Sequence, residues 1–243
     1  MNAMKNDLLL LSNSQLHGRA FLEHAMDAIQ DFLGKSRTVL FVPFALADHD
    51  GYTAKIRTAL EPLGVEVVGL HTSKRPRVAV ESADVIYVGG GNTFRLLAGV
   101  QSRRLLEPVR RRVAEGGLKY LGSSAGTNLA CPTIRTTNDM PIVEPRSFEA
   151  FGLVPFQINP HYLDPDPTST HMGETREQRI EQFLEENAVP VLGLREGAWL
   201  RRRGSKLLLG GTTGARLFQR GRSAEEYTDS ADLSFLLRKK GHG

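Results

Sequence analysis

A single cysteine among 243 residues, Cys131, has no partner for an internal disulfide, so a cystine-stapled framework is excluded. No stretch approaches the roughly 18 consecutive apolar residues that a membrane-crossing helix requires, which removes the bilayer as an expected partner. The start, Met1-Asn2-Ala3-Met4-Lys5-Asn6-Asp7, lacks the apolar core of a secretory leader. Together with the lone thiol, this makes the cytoplasm the expected compartment. Repeats, linkers and low-complexity segments are missing too, so nothing marks a domain boundary. What remains is 40% hydrophobic and 24% charged, enough to bury a core unaided. The expectation is one α/β domain spanning residues 1–243.

Charge of one sign is also scarce. The formal net charge is +4, from 31 basic against 27 acidic residues. The basic excess is local, in Arg110-Arg111-Arg112, Arg201-Arg202-Arg203 and Arg238-Lys239-Lys240. A nucleic-acid reader gathers such charge on one face, beside aromatics or a recognisable module. No module accompanies these runs, which read as solvated helix and hairpin faces, and nucleic acid is not an expected partner.

Short apolar runs alternate with amphipathic stretches, the pattern of a mostly parallel sheet flanked by helices. Strands are expected at Leu8–Leu11, Thr38–Val42, Glu66–Leu70, Val85–Val88 and Tyr120–Leu121. Helices are expected at Leu16–Phe32, Tyr52–Leu63, Thr93–Gly99 and Leu105–Glu115. The segment Cys131–Pro141 has few apolar periodicities and two prolines. It reads as a long ordered loop, and such loops in compact domains are usually functional. Beyond it, a strand near Phe156–Ile158, a helix over Glu174–Glu186, and strands at Val191–Leu194, Ala198–Arg202 and Leu207–Leu209 would complete the sheet and its edge. The last fifteen or so residues, about the length of a loose tail, are expected to fray.

Gly122-Ser123-Ser124-Ala125-Gly126 fits G-x-S-x-G after an apolar strand and before a stretch able to start a helix. Glycine on either side lets Ser124 occupy a strained turn that lifts its hydroxyl clear of the sheet. The amide of Ala125 then points to where a tetrahedral oxyanion would form, near the positive end of the next helix. A second turn, Gly89-Gly90-Gly91-Asn92, has neither a P-loop ending nor dinucleotide spacing. Gly90 is therefore a candidate second oxyanion donor, and Asn92 a candidate substrate contact.

A serine nucleophile needs a base, and the base a third group that fixes its tautomer. Among seven histidines, His161 follows an expected strand and would stand at its carboxyl end, where such sheets assemble sites. Glu196 ends another apolar strand and precedes a glycine. Asp139, in the polar loop, is the rival third member, and spacing does not choose between them. Arg176 falls on the apolar stripe shared with Ile180 and Phe183, where a solvated arginine does not belong. It suits a guanidinium reaching into a pocket to hold a carboxylate by two hydrogen bonds, the alternative being a pairing with Glu174 or Glu177. Cys131 precedes a proline off the turn and reads as a small buried residue rather than a nucleophile.

Several segments together resemble the S51 serine peptidases, relatives of cyanophycinase and of the class I glutamine amidotransferases. They are Leu9–Ser14, Val88–Phe94, Ser124-Ala125-Gly126, Leu129–Val143, Ile158–His161 and Gly173–Arg179. The resemblance covers about residues 8 to 220. It implies a class I glutamine amidotransferase-like fold and hydrolysis of dipeptides with an N-terminal aspartate, without metal or other cofactor. Ser124 and His161 would act with a carboxylate at the position of either Glu196 or Asp139, and Arg176 would read the aspartyl side chain. Strand-end geometry favours Glu196. Ser123 departs from the aromatic residue expected before the nucleophile, a change that would widen the pocket, and Leu163–Met172 also departs from the pattern. The implied partner is a small peptide, bound by a monomer or homodimer. Two other readings share these residues: a related enzyme of broader or cyanophycin-like specificity, and a non-catalytic small-molecule binding module.

Overall fold

The structure, a computed structural model, describes residues 5–168, 170 and 172–238. In β1 (Asp7–Leu11), Leu8 through Leu11 are all 0% exposed. A strand buried on both faces needs cover on both, which a parallel sheet between helical layers provides. With β2 (Thr38–Val42), β3 (Glu66–Gly69), β4 (Val85–Val88) and β5 (Lys119–Ser123) it runs parallel in the order β3-β2-β4-β5-β1. Leu8 and Leu10 enter one core, Leu9 and Leu11 the other, as a side-chain period of two dictates. Each fully buried leucine contributes about 1.5–3 kcal/mol, so β1 is a major anchor for both layers.

The later strands are β6 (Gln157–Tyr162), β7 (Val191–Arg195), β8 (Ala198–Arg203), β9 (Lys206–Gly211), β10 (Ala215–Phe218) and β11 (Glu225–Tyr227). Antiparallel β8 and β9 extend the first sheet beyond β1, giving seven strands, mostly parallel. The expectation that β6 and β7 belong to that sheet is corrected: β11-β10-β7-β6 form a second, four-stranded sheet. Periodicity reports burial but not pairing partner. The chain changes sheets in the turn Glu196-Gly197 between β7 and β8, with Gly197 at φ 86°.

The helices are α1 (Met26–Leu33), α2 (His49–Leu60), α3 (Pro76–Ser82), α4 (Thr93–Ser102), α5 (Leu106–Glu115), α6 (Ala125–Ala130) and α7 (Arg176–Glu186). Side-chain caps start three of them. Asp48 accepts from Gly51 N–H at 2.8 Å, Asn92 from Arg95 N–H at 3.0 Å, and Thr175 and Gln178 form a reciprocal capping box before α7. The helix expected over Leu16–Phe32 is mostly turns up to a single 3-10 turn at Glu23–Ala25, because Gly18 and Leu22 hold φ values of 73° and 64°. α3 was not expected, since it buries only Val80 and so leaves no stripe to read. The tail does not fray as far as it is described: Leu233 and Leu236 are buried, and Leu233 N–H bonds Leu207 O at 2.8 Å.

Two of the three basic runs are engaged within the chain rather than simply solvated, with Arg201 buried, and Lys239 and Lys240 of the third lie outside the described residues. Arg110 bonds Glu149 at 2.7 Å, Arg111 bonds Glu81 at 2.5 Å, Arg203 bonds Asp31 at 2.5 Å, and Arg201 pairs with Asp7. Among the described residues no helix is long and apolar enough to cross a membrane.

Candidate active site

β5 delivers the chain to Ser124, which holds φ 53° and ψ −111° immediately before α6. Such a conformation costs about 1–3 kcal/mol and persists because its surroundings fix it. Ser124 N–H bonds Leu11 O at 3.1 Å, and Ser124 O accepts from Thr127 and Asn128 N–H at 2.9 and 3.0 Å. The flanking glycines are steric requirements. A Cβ on Gly126 would lie 2.0 Å from Val88 O, and one on Gly122 would lie 2.7 Å from Gly126 O. The turn cannot close this tightly around any side chain at either position.

His161 reaches the serine from β6. The strand's register against β7 shifts between Pro160 and Tyr162, and His161 sits in that bulge at φ 54°. Bulges re-aim side chains, and here the imidazole Nε2 lies 2.9 Å from Ser124 Oγ, with Nδ1 2.6 Å from Glu196 Oε1. A carboxylate only accepts, so Nδ1 carries the hydrogen and Nε2 is left to accept the serine proton. The imidazole and the carboxylate are 39% and 45% exposed, so the row opens to solvent on one side.

Asp139 takes a different place from that of a third member of this row. Its Oδ2 accepts from Thr93 N–H at 2.7 Å, Thr93 Oγ1 at 2.5 Å and Thr137 Oγ1 at 3.2 Å. It thereby ties the long loop to the first turn of α4. It still lines the same cavity of about 530 Å³ as Ser124, His161, Arg176 and Glu196, a volume suited to a small ligand. Asn128, Thr137, Asn138, Pro160 and Leu163 complete the lining. Sequence reasoning did not single out these five individually, although two of them belong to the loop it marked as functional.

Arg176 opens α7 and faces this cavity. Glu174 is taken by Arg179 at 3.6 Å and Glu177 by Arg216 at 3.2 Å. Among the described residues the Arg176 guanidinium makes no ion pair. Burial holds its basicity below the usual arginine value, nearby Arg179 adds to that, and Asp139 opposes it. The buried Ile180 and half-buried Phe183 follow on the same helix face.

Gly90 stands directly against the serine, where an added Cβ would meet Ser124 Cβ at 3.0 Å and its Oγ at 3.6 Å. Ala125 begins α6, whose first N–H groups have no partner inside the helix. Asn92 is placed otherwise than expected. Its side chain is committed to Arg95 N–H and to Met140 O at 2.8 Å, and it is not among the cavity's lining residues. Ser123 is fully buried, bonds Tyr87 Oη at 3.1 Å and is not among the cavity's lining residues. Cys131 is fully buried, its thiol pushed up to about 12 by burial despite the Ile158 N–H at 3.2 Å. Of the other six histidines, His171 and His242 lie outside the described residues. Among those that are described, no group of three or more His, Cys, Asp or Glu side chains is arranged to hold a metal ion.

The chain is similar to known proteins along most of its length. The sequence profile of peptidase family S51 matches residues 8–210. Peptidase E of Streptomyces coelicolor is 58% identical over 235 residues, covering 97% of this chain and 96% of that protein. A probable alpha-aspartyl dipeptidase of Drosophila melanogaster is 52% identical over 239 residues, covering 98% and 100%. The crystal structure of a peptidase from an acI-B1 Actinobacterium shares the fold, with a TM-score of 0.67 over 97% of this chain and 99% of that one at 19% identity. A profile match across most of the chain, together with relatives more than half identical over nearly its full length, means that this chain belongs to peptidase family S51.

Proposed function

We propose that this chain is a serine dipeptidase that hydrolyses dipeptides with an N-terminal aspartate. The observation that carries the reading is the row Ser124, His161, Glu196, hydrogen-bonded at 2.9 and 2.6 Å, beside a guanidinium without an ion-pair partner among the described residues. The name of the Drosophila relative supports the same substrate class.

Ser124 Oγ attacks the carbonyl carbon of the aspartyl residue as His161 Nε2 takes its proton. Glu196 holds the imidazole by Nδ1–H and stabilises the imidazolium. The carbonyl electron pair moves to oxygen, where the amides of Ala125 and Gly90 receive it. The C–N bond then breaks, and His161 returns the proton to the departing amine. Water, deprotonated by the same imidazole, cleaves the aspartyl ester and frees the serine. Arg176 holds the aspartyl carboxylate by two hydrogen bonds. The free α-ammonium is assigned to Asp139, whose Oδ1 accepts no hydrogen bond among the described residues. On this reading the chain acts as a single cytoplasmic domain, as monomer or homodimer.

A serine-directed fluorophosphonate tests the nucleophile: it should label the parent and fail to label Ser124→Ala. Asp-Leu should be cleaved, and Asn-Leu and N-acetyl-Asp-Leu spared. Labelling that persists in Ser124→Ala, or equal turnover of the three peptides, refutes the reading.

A further inference from the structure

β1 ends at the seam between the two sheets, and three consecutive residues there each hold the backbone beside one member of the reacting row. Leu11 O accepts Ser124 N–H at 3.1 Å. Ser12, fully buried, accepts His161 N–H on its hydroxyl at 2.9 Å and donates that hydroxyl to Leu194 O at 2.8 Å. Asn13, 1% exposed, accepts Gly197 N–H on Oδ1 at 2.8 Å, next to Glu196, while its Nδ2 donates to Gln15 O at 2.8 Å.

The bulge explains why a hydroxyl stands at this point. Pro160 faces Leu194 in the β6–β7 ladder and has no N–H to give. His161 is displaced from register, so its own N–H must find another acceptor. Ser12 fills the gap with one lone pair and one hydrogen. It thereby satisfies a strand amide and a strand carbonyl that would otherwise be left without partners. Without this hydroxyl, the φ of 54° at His161 loses the contact that compensates it, and the backbone is free to relax and swing the ring. The turn carrying Glu196 is likewise held from one side by Asn13 and from the other by Thr213 Oγ1, which donates to Glu196 O at 2.7 Å.

We propose that Ser12 and Asn13 are positioning residues for the hydrolytic reaction, Ser12 fixing the imidazole of His161 and Asn13 the carboxylate of Glu196. The inference rests on the reading of Ser124, His161 and Glu196 as the reacting groups. Substrate specificity sits elsewhere, on Arg176 and Asp139, so disturbing Ser12 or Asn13 should slow turnover and leave KM nearly alone.

The test measures steady-state kinetics on Asp-Leu and the far-downfield proton resonance of the imidazole Nδ1–H bonded to Glu196, in Ser12→Ala, Ser12→Thr and Asn13→Ala. Misplacement by about 1 Å costs on the order of 100-fold. Each alanine variant should therefore lose about 10- to 100-fold in kcat, with KM within about threefold of the parent, and its resonance should broaden or vanish. Ser12→Thr restores the hydroxyl and should recover most of both. If Ser12→Ala does not fold, Asn13→Ala decides alone, because of the two reacting side chains it stands beside only the turn that carries Glu196. A folded alanine variant with parental kcat and an intact resonance overturns the inference, as does a loss confined to KM. Ser124→Ala and His161→Ala, run alongside, separate the two readings. If they are inactive while the Ser12 and Asn13 variants work normally, positioning fails and the dipeptidase reading stands.

Discussion

Replacing Arg176 separates recognition from chemistry. Its guanidinium is half-buried in the catalytic cavity, and the two acids beside it in sequence, Glu174 and Glu177, are bound to Arg179 and Arg216. An aspartyl carboxylate entering the cavity therefore meets a cation with no bound acid to displace, apart from the long-range pull of Asp139. Truncating one partner of a desolvated, hydrogen-bonded charge pair typically costs about 2–5 kcal/mol. Because the site is open to solvent on one side, the lower part of that range applies. About 3 kcal/mol corresponds to roughly 150-fold in kcat/KM for Asp-Leu. Arg176→Ala should show that loss on Asp-Leu, with little change on Asn-Leu. Arg176→Lys keeps the charge but not the fork and should recover only part of the preference. Stability should move the other way or not at all. A cation in the first turn of α7 opposes the helix dipole by about 0.3–1 kcal/mol, so the melting temperature of Arg176→Ala should be equal or higher. Kinetics on the two peptides, together with a thermal melt, decide the matter. An unchanged Asp-to-Asn ratio in Arg176→Ala, or a marked drop in melting temperature, would return Arg176 to a structural role.

Glu196→Gln should lower kcat by orders of magnitude, since it removes the charge that stabilises the imidazolium. Asp139→Asn should raise KM for the free dipeptide and spare kcat, and steady-state kinetics showing the reverse ranking would exchange their roles. Cys131→Ala should retain parental kcat and lose about 1 kcal/mol of stability in urea titration, because Ile158 N–H forfeits its sulfur acceptor. With its thiol pushed up to about 12, Cys131 stays protonated at pH 8, so native enzyme should keep its activity in iodoacetamide. Inactivation that tracks alkylation of Cys131 would refute that placement.

What the sequence made legible was local. The turn around Ser124 is written in adjacent residues, because the glycines that close it lie two positions to either side. His161 and Glu196 were visible as polar residues at the ends of apolar runs, a signal that survives even though their strands belong to a different sheet from the one expected. Asp139 was ambiguous because its partner, Thr93, lies 46 residues away, and no spacing rule encodes the closure of that loop. Asn92 read as a free polar group beside glycines, when capping α4 was the nearer use for it. Ser12 and Asn13 carried no legible role, since a polar residue after a buried strand gives no hint of which distant amide it meets.

The pairing of β1 with both β5 and β8 gives the site a place in time. β1 is made before its antiparallel partner Trp199-Leu200-Arg201-Arg202-Arg203, which follows every parallel strand of that sheet. Contacts that close over so long a span form slowly. The serine turn and the end of β1 can come together early, whereas the base and the acid wait for the second sheet. A chain lacking β6 and β7 therefore has no base or acid to set beside Ser124. Serine, base and acid stand together only once both sheets have formed against the end of β1.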